Sequence, residues 1–150
     1  MKTIHLSILL SALLVLVMIA ACGKSLSKEE KEARIIEQQI HEVMAIHDSV
    51  MPKTGEIFKL KKKLSGYETL VTDSVLIQKI YRIKNLLVEA DDAMMDWMHE
   101  FREADPMLTF EEKQQYYSEE KKKITDVKIK MLASIDSAKT LLNVLEKDAK

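Results

Sequence analysis

The second half of the chain is written in a seven-residue rhythm. Leu76, Ile80, Ile83, Leu87, Ala90, Met94, Trp97, Met98 and Phe101 hold it for most of one stretch. Ile124, Val127, Met131, Ile135, Ala138, Leu142 and Leu145 continue it toward the C-terminus. Because a helical turn takes about 3.6 residues, this spacing gathers apolar side chains on one side of an α-helix. In an earlier stretch, Ile36, Ile40, Val43, Met44, His47 and Met51 fall within a stripe about 100° wide, with Lys31, Gln38 and Glu42 away from it. Pro52 has no N–H to donate and crowds the carbonyl four residues earlier, so the first helix is expected to kink near Met51. Beyond it, Ile57, Phe58, Leu60 and Leu64 form a stripe rotated from the first, as a kink requires.

End signals divide these stripes into three helices, about 27–64, 74–104 and 109–147. Ser27 with Glu30, and Thr109 with Glu112, have the spacing of a capping box, in which side chain and backbone N–H groups satisfy each other reciprocally. Asp73 or Ser74 is placed to cap the middle helix. Ser65-Gly66 is a glycine stop for the first, and Asp105-Pro106 ends the second. Long helices with short connections lie antiparallel, so the expected fold is all-α, an up-down-up three-helix bundle over residues 27–150 with its first helix kinked near Pro52.

Composition agrees. Aromatic residues are 5% of the chain, with three glycines and two prolines, against 31% charged residues, a balance that disfavours sheets. The net charge of -1 offers no excess of basic groups for nucleic acid. The charged runs Lys59-Leu60-Lys61-Lys62-Lys63 and Glu119-Glu120-Lys121-Lys122-Lys123 are expected on solvated outer faces.

The N-terminus is of another kind. Lys2 is followed by an apolar core from Ile8 to Ile19, then Ala20 and Ala21 directly before Cys22, the charge, core and small-residue order of a secretory signal. The apolar stretch is short for a membrane-spanning helix, which takes about 20 residues. Cys22 is the only cysteine, which excludes an internal disulfide, a CxxC redox pair and a four-cysteine zinc site. Ile19-Ala20-Ala21-Cys22 resembles the lipobox of bacterial lipoproteins. That resemblance implies a signal peptide over residues 1–21, acyl chains on Cys22 and a short linker to residue 26. Two chains suffice for stable anchoring, each buried methylene contributing about 0.8 kcal/mol. Gly23 stands where retention rules look for aspartate, which implies a lipid-anchored cell-envelope protein sorted to the outer membrane, on either leaflet.

Two further stretches, His47-Asp48-Ser49-Val50-Met51-Pro52 running into Ile57-Phe58-Lys59-Leu60-Lys61, and Ala93-Met94-Met95-Asp96-Trp97-Met98-His99-Glu100-Phe101, resemble a group of small lipoproteins from Bacteroidota often carried under the label "viral A-type inclusion protein". The likeness covers the signal segment and the first two helices. It implies a helical envelope lipoprotein and no enzyme.

The remaining candidate chemistry is a Met/His cluster. Pairing the first two helices about a connection centred near Thr69 sets His47 opposite Asp91, Met44 opposite Met94 and Met51 opposite Leu87, with Met98 one turn further on. Tyr116 and Tyr117 are brought toward Met98 and Trp97. One reading is core packing, in which unbranched methionines fill an irregular interior and His47 bonds to Asp91 or a tyrosine hydroxyl. The other is a copper(I) site built from His47, Met44, Met51, Asp91, Met94 and Met98, since thioether and imidazole are soft ligands. A di-iron bundle lacks its paired Glu-x-x-His motifs, and neither a phosphate-cradling glycine loop nor a Gly-x-Ser-x-Gly elbow is present. The expectation is a non-enzymatic interaction or scaffolding module with a protein partner and no cofactor. The alternative is a small binding protein for copper or an apolar ligand.

Overall fold

Capping side chains start three of the helices of this chain, and in each the local sequence supplies the acceptor. The structure, a computed structural model, describes residues 25–148; the signal-segment and Cys22 expectations lie outside them. Ser27 Oγ accepts from Glu30 N–H (3.2 Å) while Glu30 Oε2 accepts from Ser27 N–H (2.8 Å), opening α1, Lys28–Val50. Asp73 Oδ1 accepts from the N–H groups of Val75 (2.7 Å) and Leu76 (3.0 Å) at the start of α3, Ser74–Glu100. Thr109 and Glu112 form the second reciprocal pair before α4, Phe110–Asp148. Such caps satisfy donors that have no partner inside the helix, each contributing about 1 kcal/mol. Contacts divide the chain after Arg34. Residues 25–34 hold the first cap and the opening turns of α1, and all that follows belongs to the second unit.

All regular secondary structure among the described residues is helical, and the helices of the second unit form a bundle. Between α1 and α2, Thr54–Glu68, lies a single 3-10 turn, Met51–Lys53, carrying Pro52 near its start. The missing N–H of Pro52 interrupts the α-helical ladder there. Thr54 restores it, its N–H and hydroxyl both donating to the Met51 carbonyl, the hydroxyl at 3.0 Å.

Two ends differ from the sequence reading. Gly66 is not a stop: it carries no positive φ, and α2 runs through it to Glu68. Continuing the helix brings Tyr67 against the core and sets the Glu68 carboxylate 2.7 Å from Lys84 Nζ on α3, gains that outweigh glycine's preference for ending helices. At the far end α3 stops at Glu100 rather than Ala104, because bonds from α4 replace the helical ones. Tyr117 Oη accepts from Ala104 N–H (3.0 Å), and Tyr116 donates to the Arg102 carbonyl (2.7 Å).

The core runs the length of α2, α3 and α4, with Ile57, Leu64, Ile80, Leu87, Met94, Ile124 and Met131 removed from solvent. Full burial of such a side chain contributes about 1.5–3 kcal/mol. In α1 only Val43 and Val50 are buried outright. Phe58 and Met98, expected on apolar stripes, are instead 67% and 37% exposed. Each adjoins a buried residue, Ile57 or Trp97, and successive helical positions point about 100° apart.

Ion pairs cross three of the seams between helices. Glu42 meets Lys121 (2.7 Å), Glu56 meets Lys139 (2.6 Å) and Lys63 meets Glu146 (4.0 Å), joining α1 and α2 to α4, while Glu68 and Lys84 join α2 to α3. The hydrogen bond from Lys121, then that from Gln38, holds the Glu42 carboxyl below its ordinary range. Lys139, then Lys53, does the same for Glu56.

Candidate functional site

The predicted Met/His cluster does not assemble around an Asp91 pair. His47 Nδ1 lies 2.9 Å from Oδ1 of its own neighbour Asp48, and the imidazole packs against the Trp97 indole, ring centroids 5.5 Å apart and planes inclined by 32°. Trp97 is six residues beyond Asp91. The persistence of α2 through Gly66 moves the centre of the connection from near Thr69 to residue 71, which shifts facing positions by about four of those six residues. Met94 is fully buried, Met44 and Met51 are partly buried against the core, and Met98 is exposed, so the pair Met94 and Met98 divides between interior and surface. Asp91 is half-buried. Among the described residues no group of three or more His, Cys, Asp and Glu side chains is placed to hold a metal ion.

What gathers at this position is a polar knot around Trp97. Its indole stacks on Phe101, centroids 4.9 Å apart, and its Nε1–H donates to Glu120 Oε2 at 3.0 Å. Glu120 is only 4% exposed, and its other oxygen accepts from Lys123 Nζ at 2.7 Å. That bond raises the Lys123 ammonium above its ordinary range. A buried carboxylate is tolerated only when both oxygens are bonded, and here they are. With both Glu120 oxygens so engaged, the knot holds α3 to α4 as a structural joint.

Sequence reasoning placed Glu120 in a solvated run. A signal was present: Tyr117, Glu120, Ile124 and Val127 are spaced by three, four and three residues, which sets Glu120 on the buried seam.

The rest of the α3–α4 seam is built differently. Leu86 and Ile129, 38% and 59% exposed, flank a depression of about 350 Å³ floored by Ala133, Ser134 and Ser137. The two hydroxyls turn into their own helix, Ser134 donating to the Met131 carbonyl (3.0 Å) and Ser137 to that of Ala133 (2.8 Å). Serines bonded this way present their carbon atoms outward, so the floor is apolar. A second hollow of about 320 Å³ continues the groove past Lys79, Arg82, Asp136 and Val144. Along the groove Lys79, Arg82, Glu89, Lys130 and Asp136 make no ion pair with a described residue, in contrast to the bridged seams. The groove was absent from the sequence reading, although Ile129, Ala133, Ser137, Thr140 and Val144 trace a second helical stripe on α4.

No family model matches this chain, and neither a curated protein nor a solved structure does.

Proposed function

We propose that the chain is a lipid-anchored cell-envelope protein, tethered through Cys22 and sorted to the outer membrane, whose helical part is a non-enzymatic interaction module. The anchor is supported by Ile19-Ala20-Ala21-Cys22 behind a charged start and an apolar core, and by the resemblance to small Bacteroidota lipoproteins. Among the described residues no helix is long and apolar enough to cross a membrane.

The module is an up-down-up three-helix bundle kinked at Pro52. The pairs Glu42 with Lys121, Glu56 with Lys139 and Lys63 with Glu146 advance together, which favours α4 running in the same sense as α1 and α2. His47 with Trp97 and Glu68 with Lys84 advance oppositely, which favours a reversed α3.

One observation carries the interaction role: the apolar, unbridged groove between α3 and α4, with Leu86 and Ile129 at its rim. An exposed apolar surface flanked by charged groups is the kind of surface that a docking partner covers. His47 and Glu120, the groups best suited to chemistry, are engaged by their own neighbours, which favours binding over catalysis. The packing of His47 against Trp97, with Met98 exposed, favours a structural role over copper(I) ligation, and no cofactor is assigned.

Metabolic labelling with an alkynyl fatty acid tests the anchor. The wild-type chain should take up label and sediment with membranes, and Cys22→Ser should lose both properties. A Cys22→Ser chain that remains labelled and membrane-bound contradicts the proposal.

A further inference from the structure

We infer that the groove between α3 and α4 is where a second copy of this chain docks, its α3 lying antiparallel across Leu86. This inference rests on reading the groove as a docking surface and names the occupant.

The charge order of α3 carries it. Lys79, Arg82 and Lys84 precede Leu86 with no acid among them, whereas Glu89, Asp91, Asp92, Asp96 and Glu100 follow with neither lysine nor arginine. This order runs against the helix's own dipole, which favours acids near the N-terminus and bases near the C-terminus. The energetics of an isolated α3 therefore do not account for it. A neighbouring α3 does: two such helices side by side repel when parallel and attract when antiparallel, each basic half facing an acidic half.

The geometry fits in register as well as in sign. Lys79, Arg82, Leu86 and Glu89 all line the groove, spaced by three, four and three residues on one side of α3. At a rise of about 1.5 Å per residue, Arg82 stands about 6 Å before Leu86 and Glu89 about 4.5 Å after it. A twofold axis through Leu86 then brings Arg82 of one copy level with Glu89 of the other, to within about 1.5 Å along the axis, twice over. Neither Arg82 nor Glu89 has an ion partner within the described chain, so each is free to take one from outside. On α4, Ala133 and Ser137 lack bulk that would hold an incoming helix away, and Ile129, 59% exposed, supplies apolar surface for it to cover.

Charge reversal in full-length chains, co-expressed with two different tags and captured by one of them from solubilised membranes, tests this. Wild-type copies should co-purify. R82E alone and E89R alone should each reduce recovery of the second tag about tenfold, because each opposes like charges at two places. R82E co-expressed with E89R should recover to within about twofold of wild type, since mixing restores both pairs. Both positions are exposed, and unchanged far-ultraviolet circular dichroism confirms that the variants fold. Wild-type copies that fail to co-purify, single reversals without effect, or a mixed pair that stays apart each overturn the inference. A photo-crosslinker at Ile129 in the same cells separates the two levels. Adducts to a different chain without self-association overturn the second copy and leave the docking surface standing, and no adduct at all overturns both.

Discussion

The seam between α3 and α4 has two halves that meet solvent in opposite ways. Near the connection between the helices, Trp97, Phe101, Tyr117 and Glu120 fill the space, and their polar atoms are satisfied within the chain. Toward the other end, Leu86 and Ile129 stand exposed over small residues, and the flanking charges have no partner among the described residues. The same two helices thus make a joint at one end and a vacant surface at the other. Conspicuous residues such as Trp and His here mark the joint, whereas alanine and serine mark the vacancy.

The largest effect expected from breaking this contrast is at Trp97. Trp97→Ala removes a buried ring from the closed half and should lower stability to urea by about 3–5 kcal/mol. Leu86→Ala, in the half-exposed groove, should cost the folded chain about 1 kcal/mol or less. Equal losses at the two sites would remove the distinction. Next comes Glu120. In Glu120→Ala the Trp97 N–H is left without its acceptor, at a cost of about 1–3 kcal/mol in the same measurement, and Glu120→Gln, which keeps a carbonyl oxygen, should recover part of it.

A smaller effect of opposite sign is expected at Gly66. A Cβ added there meets nothing within 4 Å and the backbone is helical, so Gly66→Ala should raise stability by about 0.5–1 kcal/mol. A destabilised variant would contradict the helical placement of Gly66.

The smallest effect is at a bridged seam. The Glu56 carboxyl is held below its ordinary range by Lys139, so its contribution is present above the unfolded carboxylate pKa of about 4.3 and is lost as pH falls through the lower folded value. Glu56→Gln should therefore cost about 0.5 kcal/mol at pH 7, and the gap to wild type should close in acid. A gap that persists below the folded pKa would remove the ion pair as its cause.

Much of the fold was legible because its signals are local. The apolar rhythm of α3 and α4 and the residue types at Ser27, Asp73 and Thr109 act within a few positions of themselves. Register was not legible, since it turned on whether Gly66 ends α2, and that balance is struck by Tyr67 and Glu68 finding partners elsewhere in the chain. Glu120 was hidden by its charged neighbours although its spacing from Ile124 placed it inside. The groove was hidden for a related reason: the stripe from Ile129 to Val144 on α4 is only half of it, and the other half is supplied by α3.

Photo-crosslinking in intact cells tests the contrast between the halves most directly, with the reactive group placed at Ile129 or at Ser118. Both positions are exposed and lie on one face of α4, three turns apart, Ile129 beside the open half and Ser118 beside the closed one. The account predicts protein adducts from Ile129 and none from Ser118. Equal capture at both positions, or capture from Ser118 alone, would contradict it.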